Sequence, residues 1–405
     1  MHYGIKDKRM FSEKMYKLGS NRSVIRELFE YGKMRKAEVG EENVFDFSIG
    51  NPSVPSPDTV KETLIRILSE EEPTAVHGYT SAQGDPGVRK AIAENLNERF
   101  GTSFSADNFY MTCGAAASLT ISIRAIVTPQ ADEFITFAPF FTEYRVFVES
   151  QGGKLVVVPP KEPDFQIDFS ELEKRITPKT AAIIINSPNN PSGVIYSRET
   201  IEGLASLLEA KEKEYGRDIY IISDEPYREI SYDSKVPPFV TKYYRNTIIC
   251  YSYSKSLSLP GERIGYILVS NEMDDWKKMY AAVCGAGRAL GFICAPSLFQ
   301  KLITHTAGLT SDLSVYAKNR DLLYNGLTEL GFKCVYPDGA FYLFMKTSEP
   351  NTDAFCQKAK KYDLLLVPAD DFGCPGYVRI AYCVSTDMIR RSMKAFAKLA
   401  SEYNQ

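Results

Sequence analysis

Between residues 108 and 270, short apolar runs alternate with helical stretches, and this alternation constrains the fold more than any other feature. The runs are NFYMTC (108–113), DEFITFA (132–138), KLVVVPP (154–160), TAAIIIN (180–186), DIYIISD (218–224), NTIICYSYS (246–254) and RIGYILVS (263–270). A strand that is apolar at every position needs cover on both faces, which crossover helices supply in a parallel sheet. GAAASLTISIRAIV (114–127) reads as one such helix, and the stretch after SPNNPSG as another, ending near Ala210. FTEYRVFVESQGG (141–153) reads as a loop. The expected class is α/β, with a large, mostly parallel, seven-stranded sheet between helices.

The pattern changes after about residue 275. Helical periodicity over 272–310, broken near Pro296, and over 313–330 leads to short strands at FKCVYP (332–337), AFYLFMK (340–346) and YVRIAYC (377–383). Helices set apart from strands suggest a smaller α+β domain. Residues 22–38 also carry a helical period and are expected to pack with it. The expected division is a large domain at 46–285 and a discontinuous small one at 1–45 and 286–405.

Composition removes several function classes. The net charge of -3 and a pI near 5.9 carry no nucleic-acid footprint, which would be a basic patch or stripe. No stretch approaches the ~20 apolar residues of a membrane span. The eight cysteines are dispersed and none forms a CxxC pair, the pattern of a reduced, cytoplasmic protein. His2, His77 and His305 match no metal-site or triad spacing, so no metal is expected. The chemistry is left to Lys, Asp, Tyr, Arg or a borrowed cofactor.

Five segments offer that chemistry. In YSYSKSLSLPGERIGY (251–266) Lys255 stands among hydroxyls just after an apolar strand. A lysine with a depressed pKa acts as a nucleophile or forms a Schiff base, and Ser252, Ser254 and Arg263 are suited to a dianionic phosphate beside it. The bland alternative is an ordinary surface lysine. In SDEPY (223–227) Asp224 ends a strand, where ligands bind in open α/β sheets. It either caps the next helix or pairs with a protonated pyridine nitrogen, with Tyr227 offering a phenol to the same ring. SPNNPSG (187–193) places Asn190 at another strand end, in a rigid turn. TCGAAASL (112–119) opens a helix on small residues, leaving N–H groups for a phosphate or simply allowing close packing. Arg379 lies inside an apolar strand, where it needs an anionic partner, either an internal carboxylate or a ligand. CGAGRALG (284–291) has glycines spaced GxGxxxG and no preceding strand, so it is set aside as a dinucleotide motif.

In this order and at these separations, the segments resemble the class I aminotransferases of fold type I, from SIGNP (48–52) to VRIAYC (378–383). The resemblance implies pyridoxal 5'-phosphate, held covalently by Lys255 and otherwise by Gly114, Ala115, Ala116, Ser252 and Arg263 at its phosphate. It implies Asp224 at the ring nitrogen, Tyr227 and Asn190 at the ring's phenolic oxygen, and Phe141 on the ring face. Arg379 is implied at the substrate α-carboxylate, with Gly50 and Asn190 lining the substrate. Tyr79 resembles a tyrosine that reaches the phosphate in the neighbouring subunit, which implies a homodimer with shared active sites. Arg288 lies within about one residue of where one branch places a partner-subunit arginine for a distal carboxylate. The sequence departs from the family pattern in reading NPSG for NPTG and Phe for the usual Trp or Tyr at 141. The implied reaction moves an amino group from an L-amino acid, with aspartate or an aromatic amino acid as candidate donors, to a 2-oxo acid such as 2-oxoglutarate. The competing readings are a pyridoxal-phosphate carbon–sulfur β-lyase and a non-catalytic cofactor-binding regulator.

Overall fold

The structure is a computed structural model that describes residues 11–20 and 24–403. His2 and the first two residues of the expected N-terminal helix lie outside the described residues.

The seven apolar runs form one sheet in the order Phe109–Thr112, Gly265–Val269, Thr247–Ser252, Tyr220–Asp224, Thr180–Asn186, Glu133–Phe137, Lys154–Val158. Only Gly265–Val269 runs against its neighbours; the other pairings are parallel. The strand Thr180–Asn186 shows why the sheet needs two covers. Successive side chains point to opposite faces, so Ala182 and Ile184 pack with Leu119 and Ile123 of the helix Ala115–Ile126. Ile183 and Ile185 pack on the other face with Leu204 and Leu208 of the helix Arg198–Tyr215. All seven of the strand's residues are buried, and truncating Ile184 to Ala would cost about 2–5 kcal/mol.

The second sheet is antiparallel, in the order Val367–Pro368, Tyr377–Ala381, Tyr342–Lys346, Cys334–Val335. Its core takes the helices Ser314–Glu329 and Thr386–Ser401 through Tyr316, Leu323, Ile389 and Phe396. A backbone contact from Ala340 N to Ile230 O at 2.8 Å ties the turn after Tyr220–Asp224 to the second sheet, and Ala381 N donates to Phe47 O at 3.0 Å, beside the short parallel pair Phe45–Asp46 and Leu364–Leu365.

Several local expectations change. Residues 141–153 are not a loop: Glu143–Ser150 is a helix, because Tyr144 and Val148, one turn apart, are both buried against the large sheet. The helix expected to stop at Ala210 runs to Tyr215, where Gly216 caps it at φ 66. The stretch 272–310 divides into Trp276–Leu290 and Ser297–Thr306, ending first at Gly291 with φ 76. CGAGRALG lies in and just after the first of these helices. Ser297–Thr306 packs through Leu302 and Ile303 into the cluster of Val60, Val88 and Ile92. Among the described residues, no helix is long and apolar enough to cross a membrane.

Candidate active site

Parallel pairing brings strand ends into line. Asn186 lies opposite Asp224, and Asp224 opposite Cys250, two residues before Ser252. The chain therefore releases its turns at one edge of the sheet, where carboxyl ends of strands meet. There a cavity of about 370 Å³ is lined by Gly50, Ala115, Ala116, Phe141, Asn190, Asp224, Tyr227, Ser252, Lys255, Arg263 and Arg379. With Ser254, which also lines it, twelve of the fifteen candidate site residues of the sequence thus meet at one place. Gly114 adjoins them, since a Cβ there would lie 2.8 Å from Arg263 Nη2. Tyr79, with 98% of its surface exposed, and Arg288, exposed on the helix Trp276–Leu290, are not in the cavity wall.

Lys255 lies on a single helical turn, Tyr253–Ser256, whose N-terminus is capped by Ser252 accepting from Ser254 N at 3.1 Å. Its Nζ donates to Gly50 O at 2.6 Å. Burial, with help from the charges of Arg379 and Arg263 and against that of Cys383, lowers its pKa to about 8. No carboxylate among the described residues pairs with it, so a much larger share of the amine is neutral near neutral pH than in an exposed lysine.

Asp224 is buried at the end of its strand. Burial raises its pKa to about 7, a hydrogen bond from Tyr144 lowers it and the neighbouring Glu225 raises it. The Tyr144 hydroxyl donates to Oδ2 at 2.5 Å, while Oδ1 has no partner. A bare buried carboxylate oxygen is costly, and it fits a group that brings its own N–H. Arg379 repeats the pattern. It is buried in the second sheet, Nη1 donates to Asn190 Oδ1 at 3.1 Å, Nη2 to Ser48 O at 2.6 Å, and Nε has no partner. No carboxylate among the described residues pairs with it, so the internal-salt-bridge alternative is ruled out. A fork of buried donors without an anion is shaped for a carboxylate.

The opposite end of the cavity is suited to a phosphate. Gly114, at φ 89, caps the start of the helix Ala115–Ile126 with Arg263 packed against it, and the first N–H groups of a helix have no partner within it. Arg263 is itself a non-glycine residue at φ 50, a conformation met mainly at constrained sites. Its Nη1 is 3.4 Å from Ser254 Oγ, which shares a 2.6 Å hydrogen bond with Ser252 Oγ. A phosphate cradle, an amine of lowered pKa, a bare carboxylate oxygen and a bare guanidinium edge together fit pyridoxal phosphate and an amino acid.

Sequence reasoning missed four contributors. Tyr144 was hidden by the loop reading. Asn186 accepts from Asn190 N at 2.7 Å and donates to Asp224 O at 2.8 Å, fixing the turn; its signal was the asparagine ending an otherwise apolar strand. Tyr342 and Ile25 line the cavity from the second sheet and the N-terminal helix Val24–Val39; PDGAFYLF (337–344) resembles a family segment, but that resemblance gives Tyr342 no role in the site.

Comparison with known proteins assigns the family. The family model for aminotransferase class I and II matches residues 42–396. The aspartate/prephenate aminotransferase of Thermus thermophilus is 31% identical over 358 residues, 86% of this chain and 89% of that one. The aspartate aminotransferase of Thermotoga maritima is 30% identical over 87% of this chain and 90% of its own. A crystal structure of an aminotransferase from Eubacterium rectale superposes with a TM-score of 0.97 at 61% identity, covering 98% of this chain and all of the other. The chain belongs to the class I and II aminotransferases, and it is a pyridoxal-phosphate-dependent enzyme of fold type I.

Proposed function

We propose that this aminotransferase works by a ping-pong cycle centred on Lys255, with roles for its residues as follows. The observation that carries the reading is the meeting of an amine of lowered pKa with two unpartnered buried groups, Asp224 Oδ1 and Arg379 Nε, in one cavity. The cofactor, when bound, supplies an aldehyde for amino groups and a ring that accepts electrons. Lys255 would anchor the cofactor covalently, and its amine would serve as the base that moves the proton at the substrate Cα. Asp224 holds the proton on the ring nitrogen, and Tyr144 keeps its carboxylate oriented. Tyr227 and Asn190 would hold the ring's phenolic oxygen, and Phe141 would cover the ring. Gly114, Ala115, Ala116, Ser252, Ser254 and Arg263 hold the phosphate. Arg379 grips the α-carboxylate against Gly50, and Ile25 and Ile49 shield the cavity from water.

The reading includes a homodimer with shared active sites, to which the exposed Tyr79 and Arg288 of a second copy contribute. It includes a cytoplasmic location, for which the eight free cysteines speak. It also divides the chain into a cofactor-binding part, residues 46–285, and a smaller part, 1–45 and 286–405. The acceptor is assigned as 2-oxoglutarate and the donor as aspartate or an aromatic amino acid. Relatives named aspartate aminotransferase and aspartate/prephenate aminotransferase support aspartate among these. Initial rates for a panel of amino acids against 2-oxoglutarate test the reading: parallel double-reciprocal lines are expected. Pyruvate release from cystathionine without any acceptor would favour the β-lyase instead.

A further inference from the structure

Tyr342 is a buried side chain of the cavity wall, bearing a hydroxyl, to which the cycle above gives no task. Its hydroxyl lies 2.8 Å from that of Tyr227, and the two rings pack edge to face at 5.7 Å. The contact joins the two sheets. Tyr227 belongs to the turn after Tyr220–Asp224, and Tyr342 begins the strand Tyr342–Lys346, where it pairs with Ala381.

The Tyr342 phenol is held from both sides. A Cβ on Gly50 would overlap its hydroxyl, so the loop that accepts the Lys255 amine also packs against Tyr342. On the ring face stands Arg379, its guanidinium carbon 4.7 Å from the centroid. Arg379 and Asp224 bear on Tyr227, and Arg379 and Cys383 on Tyr342; Lys255 lies among the same groups. None of these offers Tyr342 a second hydrogen bond. A phenol so fixed has one polar contact, the Tyr227 hydroxyl, and either oxygen can be the donor in it.

We propose that Tyr342 is a positioning residue that donates to the Tyr227 oxygen and thereby directs Tyr227's own proton into the cavity. The inference rests on the reading that the cavity holds pyridoxal phosphate with its phenolic oxygen at Tyr227. A hydroxyl that accepts a hydrogen bond becomes a better donor. Tyr342 therefore strengthens the pull of Tyr227 on the ring oxygen. Less charge stays on that oxygen to hold the proton of the Lys255–cofactor linkage, so the linkage loses its proton at lower pH. Arg379, stacked on the same ring, keeps the donor in place.

The test is an absorbance pH titration of the cofactor-loaded enzyme, comparing wild type with Tyr342→Phe, Tyr227→Phe and the double variant. Tyr342→Phe is expected to raise the midpoint by about half to one pH unit, the effect of one neutral hydrogen bond. Tyr227→Phe should raise it further, and the double variant should match Tyr227→Phe alone, because Tyr342 acts through Tyr227. An unchanged midpoint in Tyr342→Phe, or shifts that add in the double variant, overturns the proposal. So does a Tyr342→Phe protein that fails to take up cofactor while Tyr227→Phe succeeds, since an indirect role cannot exceed the direct one. A wild-type protein with no titrating absorbance would instead remove the cofactor reading beneath it.

Discussion

The Tyr144 hydroxyl donates to one oxygen of Asp224 at 2.5 Å and leaves the other oxygen, equally buried, without a partner. The pair comes from a helix and a strand end 80 residues apart in sequence. It holds a carboxylate ready for a cation while satisfying only half of it.

This asymmetry predicts unequal losses. Tyr144→Phe removes an orienting donor and should weaken cofactor affinity by about tenfold, roughly 1–1.5 kcal/mol. Asp224→Asn removes the charge that pairs with the ring nitrogen and should cost roughly 2–5 kcal/mol in the transamination rate. Spectrophotometric cofactor titration and single-turnover kinetics read the two effects separately. Equal losses from both substitutions would contradict the assignment.

The lysine makes a pH prediction. Its folded pKa is lowered, to about 8, so the neutral, nucleophilic amine accumulates through pH 8 and not through the ordinary value near 10.4. With cofactor removed, the rate at which Lys255 condenses with an aldehyde probe should rise with pH, reach half its maximum near pH 8 and level off about one unit higher. A rate still climbing at pH 10 would mean that the amine is solvated.

Gly114 separates phosphate recognition from ring recognition. Alanine there is strained at φ 89, and its Cβ would lie 2.8 Å from Arg263 Nη2. Gly114→Ala should reduce affinity for pyridoxal phosphate by about tenfold, ~1.4 kcal/mol, and leave affinity for unphosphorylated pyridoxal nearly unchanged. Equal losses for both ligands, measured by fluorescence quenching, would place the phosphate elsewhere.

Arg379 is held by Asn190 and Ser48 in a way that leaves an edge for a planar anion. Arg379→Lys keeps the charge but loses the fork. The expected result is a fall of roughly 100-fold in kcat/KM for amino donors, about 2.7 kcal/mol, with cofactor absorbance intact. A change confined to the absorbance would point to a cofactor role instead.

The sheet was legible because each strand is apolar along its whole length, TAAIIIN most plainly, and such a run has few other uses. The cofactor end of the site was legible because Lys255, Asp224 and Arg263 lie in short local motifs at strand ends. What escaped depends on distant packing. Tyr144 sits in an eight-residue helix whose short apolar stripe resembles a loop. Tyr342 and Ile25 gain meaning only when the second sheet and the N-terminal helix close on the first. The helices Thr352–Lys360 and Thr386–Ser401 were also left out, although Ile389, Phe396 and Leu399 mark one face of the latter.

The most direct test is borohydride reduction of the cofactor-loaded protein followed by peptide mapping. The reduced cofactor is expected on the peptide that contains SYSKSLSLPGER, at position 255, with no other lysine modified. A label on a different lysine, or a fully loaded protein that takes none, would contradict the account.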